Sequence, residues 1–266
     1  MGLFTEYIDM ANYFEAKNEN NKVTIDDRTT MLSLLRCGTL DSIASYTKGV
    51  TFGWKGAEPP SNDRRMNLAF IYSLTLNDNE KNVALAIPDD ENIAVCTNRI
   101  STQSVNVVVF RNVQSSEGIE SLANKIKVYI FGEDHVANNK SGIQVYNAAG
   151  QLAFKSTNYL LDVKGKWEMS KNIYIAKCNS LPASFLIEEN AKDLAVVCNA
   201  YIANWVKDPH GQSMTPYIGI YGISKVGTKL YAKLMVCFWF SDSYSYYNGL
   251  SNQAAILLTN ITNAPI

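Results

Sequence analysis

Apolar positions recur first at three- and four-residue steps and then, from Tyr46 on, at every second residue. Leu3, Phe4, Tyr7, Ile8, Met10, Ala11 and Phe14 fall on one side of a helix. A polar break at 17–21 follows. A second short helix is expected from Asp26 or Asp27, either of which can cap free backbone N–H groups; it carries Met31, Leu32, Leu34 and Leu35 and stops at Gly38. Beyond Tyr46 come TFGW, the polar loop KGAEPPSNDRR, and the strands NLAFIYSLTL (67–76), NVALAI (82–87), NIAVCT (92–97), VNVVVF (105–110) and IKVYIF (126–131). NDNEKN, PDDE and the looser SSEGIESLANK separate them. This spacing predicts a mainly β protein of antiparallel, sandwich-like sheets with a short helical N-terminal region, not alternating βαβ units.

The most ordered period-two pattern is GIQVYNAAGQLAFKS, residues 142–156. Ile143 and Val145 point one way, Gln144 and Tyr146 the other, and Leu152 and Phe154 again share a face. NAAG between them supplies turn residues, with Gly150 free to take positive φ, so the stretch reads as a β-hairpin. A second hairpin is expected from YLLDV, a Lys164-Gly165 turn and KWEM, with strands at 171–178 and 183–189. Residues 187–206 fit a helical stripe and fit strands; the clustered β-branched and aromatic residues favour strands. Residues 217–240 form a long hairpin turning at Lys225-Val226-Gly227. Its second arm puts Leu230, Ala232, Leu234, Val236, Phe238 and Phe240 on one face and becomes apolar on both, which suits burial or pairing with another subunit. The polar GEDHVANNKS suggests a boundary, giving a helical attachment region (1–37), a first β domain (38–140) and a second (141–266).

The pattern of 142–156, followed by an apolar strand at Leu160, Leu161 and Val163, resembles a segment of tail-associated structural proteins of tailed bacteriophages. The matching positions are Gly142, Val145, Asn147, Gly150, Phe154 and Ser156, and the match covers about a twelfth of the chain. The resemblance implies a virion part of the tail, an appendage, fibre or tail-tip accessory, in contact with other tail or neck proteins. It carries over no catalytic residue. Gly142, Asn147 and Gly150 are backbone devices and Val145, Leu152 and Phe154 packing devices, so the residues themselves also offer no chemistry.

Composition narrows the picture. The chain of 266 residues is 47% hydrophobic but only 18% charged, against a usual value of about 25%. Asn makes up about a tenth. A net charge of −1 gives no reason to bind a nucleic-acid backbone or an anionic membrane. MGLFTEYIDM lacks the basic and apolar regions of a secretory signal, and LMVCFWF (234–240) is far short of the ~20 residues of a membrane helix, so synthesis in the host cytoplasm without membrane insertion is expected. Five widely spaced cysteines without CxxC read as buried reduced thiols.

Candidate chemistry is sparse. His135 and His210 sit in polar loops with no G-x-S-x-G elbow, no metal-ligand spacing and no phosphate-cradling glycine motif, so no catalytic residue, metal or cofactor is expected. Asp89, Asp90 and Glu91 offer carboxylates for calcium or for half of a glycosidase pair, Glu188 and Glu189 are another candidate, and for both a solvated turn or strand end is the simpler reading. The aromatic run WFSDSYSYYNG offers Trp239, Tyr244, Tyr246 and Tyr247 as receptor contacts for a host glycan or protein. Leu3, Phe4, Tyr7 and Ile8 either pack on the sheet or anchor the chain to another virion protein. The leading expectation is therefore a structural phage-tail subunit, assembled as a trimer or ring, that contributes to host attachment. A free-standing carbohydrate-binding module and a surface-polysaccharide hydrolase using Asp89 or Glu188 are the alternatives.

Overall fold

The computed structural model describes residues 15–17, 23–26, 31–51, 68–111, 119–134, 143–147, 149–168, 184–198, 202–206, 217–239 and 255–265. In order these form β1 (Glu15–Lys17), β2 (Val23–Asp26), β3 (Leu32–Thr39), α1 (Leu40–Ile43), β4 (Ser45–Thr51), β5 (Leu68–Thr75), β6 (Glu80–Ala86), β7 (Ile93–Ser101) and β8 (Ser104–Arg111). Then come α2 (Ile119–Lys125), β9 (Lys127–Glu133), β10 (Gln144–Tyr146), β11 (Leu152–Lys155), β12 (Asp162–Glu168) and β13 (Ser184–Glu188). β14 (Leu194–Cys198), β15 (Ile202–Val206), β16 (Tyr217–Val226), β17 (Lys229–Trp239) and β18 (Ala255–Asn260) complete them.

Two antiparallel sheets dominate. One has six strands in the order β12-β18-β14-β6-β9-β3; the other has eight, β13-β17-β16-β7-β8-β5-β4 with β15 also on β16. Alternation sends one face of each into a shared core. Val83 and Leu85, Val128 and Ile130, and Ile256 and Leu258 meet Val105, Val107 and Val109, Ile93 and Val95, and Tyr221 and Ile223. Each such aliphatic side chain, at most 5% exposed, contributes about 1.5–3 kcal/mol. Leu40 of α1 and Leu122 and Ala123 of α2 close this core where β9 begins, and Leu40 N–H donates to Ile126 O.

The other face of the six-stranded sheet is also apolar. Ala84, Tyr129, Phe131, Ala195 and Val197 form a second cluster. Tyr159 and Leu161, preceding β12, and Ile261 and Ala264, following β18, cover it. Leu34 N–H donates to Tyr159 O, Leu161 N–H to Leu32 O and Met31 N–H to Ala153 O, so the outer edge of β3 is occupied by chain instead of solvent. The Tyr159 hydroxyl donates to the carbonyls of Asn260 and Thr262, and the Cys37 thiol donates to Pro265 O, which fastens the last turn over this layer.

The mainly antiparallel sandwich follows the pattern read from the sequence, and 194–198 and 202–206 are strands as favoured. Several expectations change. The helix expected to end at Gly38 is replaced by β3: Leu34 pairs Phe131 while Arg36 pairs Ile130, so Leu35 is the extra residue of a bulge, and a bulged Leu-Leu imitates helical spacing. The Lys164-Gly165 turn is another bulge. Val163 pairs Thr259 and Gly165 pairs Leu258, leaving Lys164 over, and 162–168 stays one strand. The loose segment 115–125 contains the whole of α2, whose Leu122 and Ala123 are drawn into the core. Finally, the expected boundary between 140 and 141 does not separate the sheets, since β6 pairs β14 and β7 pairs β16 across it. The helix expected over 3–14 lies outside the described residues; beyond it, β1 and β2 pair with each other as strands.

Candidate functional site

The hairpin of 142–156 forms as a separate two-stranded ribbon, β10 against β11. Asn147 builds its tip. Its side-chain oxygen accepts the N–H groups of Ala149 and Gln151 at 3.0 and 2.9 Å, and its amide donates to Gln151 Oε1. Gly150 takes φ +75° where a Cβ would meet nothing within 4 Å, so backbone conformation alone demands glycine. At the base, Ser156 Oγ accepts Ile143 N–H at 2.8 Å and Ser156 N–H donates to Ile143 O. Val145 faces Phe154 in register, both half-buried. Ala153 is the bulge residue of β11, which is why Leu152 and Ala153 are both buried. Ile143, 65% exposed, and Tyr146, 45% exposed, stand open to solvent. The motif residues build the ribbon, and Ile143 and Tyr146 are its exposed large apolar side chains.

The remaining sequence candidates do not gather. Leu3, Phe4, Tyr7, Ile8, Gly142, Tyr244, Tyr246 and Tyr247 lie outside the described residues, as do His135 and His210. Trp239 ends β17, its backbone in register with Tyr217. The carboxylates serve the fold. Asp89 Oδ1 accepts Gly227 N–H at 2.6 Å, and Asp90 accepts Asn92 N–H at 3.0 Å and pairs Lys125 at 3.1 Å. Glu188 accepts Asn190 N–H, and Glu189 stands 3.9 Å from Lys229. Burial would raise the Asp90 pKa; the Asn92 N–H and the Lys125 ammonium outweigh it and hold the carboxyl below its ordinary value. A carboxyl so held stays ionised and is a poor proton donor. Among the described residues no group of three or more His, Cys, Asp or Glu could hold a metal, and no helix is long and apolar enough to cross a membrane. Cys96 and Cys198 are buried thiols; burial, and then Cys198, push Cys96 well up.

One cleft of about 510 Å³ opens on the outer face of the six-stranded sheet, beside α2. Its apolar walls are Ala86, Ile87, Pro88, Ile261 and Ala264, and its polar groups are Lys125, Lys127, Tyr129, Asp193, Thr262 and Asn263. The Asn260 carboxamide accepts both the N–H and hydroxyl of Thr262 and shapes the turn that roofs it, in which Asn263 takes φ +62°. Burial, helped by Cys37, raises the Tyr129 pKa, so its phenol stays protonated. These residues come from the ends of β6, β9, β14 and β18 and share no motif, so only the pairing of distant strands brings them together.

Comparison with known proteins finds no matching family model, no matching curated protein and no matching solved structure.

Proposed function

We propose that this chain is a structural subunit of a bacteriophage tail, an appendage, fibre or tip accessory, that works by self-assembly and contact, not by turnover. The observation that carries the reading is the ribbon β10–β11. Among the described residues its two strands pair as a sheet only with each other, and it exposes Ile143 and Tyr146. Its backbone devices, Asn147, Gly150 and Ser156, are those through which the segment resembles tail proteins. Outward apolar side chains also stand on strands ending the sheets: Tyr46 on β4, Val163 on β12 and Leu186 on β13. Burying the exposed two thirds of Ile143 between subunits would contribute about 1–2 kcal/mol per copy, multiplied by copy number in a trimer or ring. Attachment to neighbouring tail or neck proteins through Leu3, Phe4, Tyr7 and Ile8, and host contact through Trp239, Tyr244, Tyr246 and Tyr247, complete the proposal. Mass spectrometry of purified tails from phage encoding the chain tests it. A constant, multi-copy stoichiometry is expected, and absence of the chain from intact tails would overturn the reading.

A further inference from the structure

We infer that the cleft beside α2 binds a monosaccharide-sized acidic sugar, its carboxylate held by Lys127 and its hydroxyl groups by Asp193 and Asn263. This goes beyond the assembly reading and needs neither particle nor ribbon. The volume of about 510 Å³ lies in the range of small-ligand pockets, roughly 300–1,000 Å³. Among the described residues, no hydrogen bond or ion pair uses the side chains of Lys127, Asp193 or Asn263 or the hydroxyl of Tyr129. That leaves one cationic, one anionic and two neutral polar groups with capacity in a single cleft. The second ammonium there, Lys125, already pairs with Asp90. One available cation suits a monoanion. Asp193 repels a phosphate dianion but accepts hydroxyl donors, and the Asn263 amide can both donate and accept. Ile87, Pro88 and Ile261 offer apolar surface to the C–H face of a sugar ring.

The test is calorimetric titration of the full chain with sodium D-glucuronate, with D-glucose and inorganic phosphate as comparison probes. Saturable glucuronate binding is expected, with each comparison probe weaker by about tenfold or more. Lys127→Gln should weaken glucuronate by about tenfold or more at an unchanged thermal midpoint. Should that variant shift the midpoint, Asn263→Gly, which keeps the left-handed backbone, decides in the same way. Absence of saturable glucuronate binding overturns the inference. So does phosphate binding equally well, which would mean a simple anion site, or full binding by the folded variants, which would place the ligand elsewhere.

Discussion

Arg36 and Glu80 join β3 to the start of β6, on opposite sides of β9, and they allow a sharp thermodynamic test. Arg36 Nε lies 2.7 Å from Glu80 Oε1 and Nη2 lies 3.0 Å from Oε2, a bidentate pair. The same Nη2 donates to Thr75 O at 2.5 Å, and Asn77 N–H donates to Oε2 at 2.8 Å. The glutamate side chain is 2% exposed and the arginine 34%. Arg36→Met therefore strands a buried carboxylate with a single backbone donor. Breaking a buried pair from one side costs about 3–5 kcal/mol. The partial exposure of Arg36 lets water reach the vacated site, which places the loss near the lower end, ~3 kcal/mol. Adding Glu80→Leu removes the stranded charge, and the Asn77 N–H it frees belongs to an exposed residue. The double variant should recover most of the loss. Urea unfolding followed by far-ultraviolet circular dichroism reads both, provided the slope m is unchanged. A single-variant cost below ~1 kcal/mol, or costs that simply add, would refute the claim that the pair holds these strands as a unit.

Two glycines should separate crowding from conformation. At Gly132 a Cβ would run into Asn79 O and lie 2.8 Å from Glu80 Cα, so Gly132→Ala should lose about 3 kcal/mol or more in the same unfolding assay. Gly227, at φ +60° with open space around it, starts the two-residue β16–β17 turn, and Gly227→Ala should cost only ~1–2 kcal/mol. For Asp90 the folded pKa lies below the ordinary value of 3.8, so its contribution is present above that value and is lost as pH falls through the folded pKa. Asp90→Asn should accordingly lose about 1 kcal/mol at neutral pH, with the gap from the parent closing in acid, as measured by urea midpoints across pH. Cys96 and Cys198 should resist a thiol reagent until the chain unfolds, as read by peptide mass mapping; modification of either in the native protein contradicts their burial.

Strands were legible where each residue has one job. In VNVVVF, Val105, Val107 and Val109, every second residue, face the shared core, and β8 pairs residue by residue with β5 and β7. The hairpin was legible to single residues, because Asn147, Gly150 and Ser156 act within the ribbon and need no distant partner. Legibility failed at bulges. Leu35 and Lys164 are extra residues whose presence depends on Phe131 and Ile130 across from one, and on Thr259 and Leu258 across from the other. Past Leu234 the expected alternation of β17 also breaks, for Tyr221 pairs Leu234 while Ile220 pairs Val236. The mixing of both halves of the chain in each sheet rests on long-range pairs such as Val83 to Ile130 beside Val196 to Leu85. The cleft was invisible for the same reason. Lys127, Asp193 and Asn263 become neighbours only after β9, β14 and β18 are in place.

The central claim is that exposed apolar groups on paired extended segments hold copies of this chain together. Sedimentation velocity of the purified full chain, alone and as Ile143→Asp/Tyr146→Asp, tests it most directly. The account predicts a discrete oligomer for the parent and a folded monomer of unchanged thermal midpoint for the double variant. A parent that sediments as a monomer across the micromolar range, or a variant that keeps the parent's mass, would contradict it.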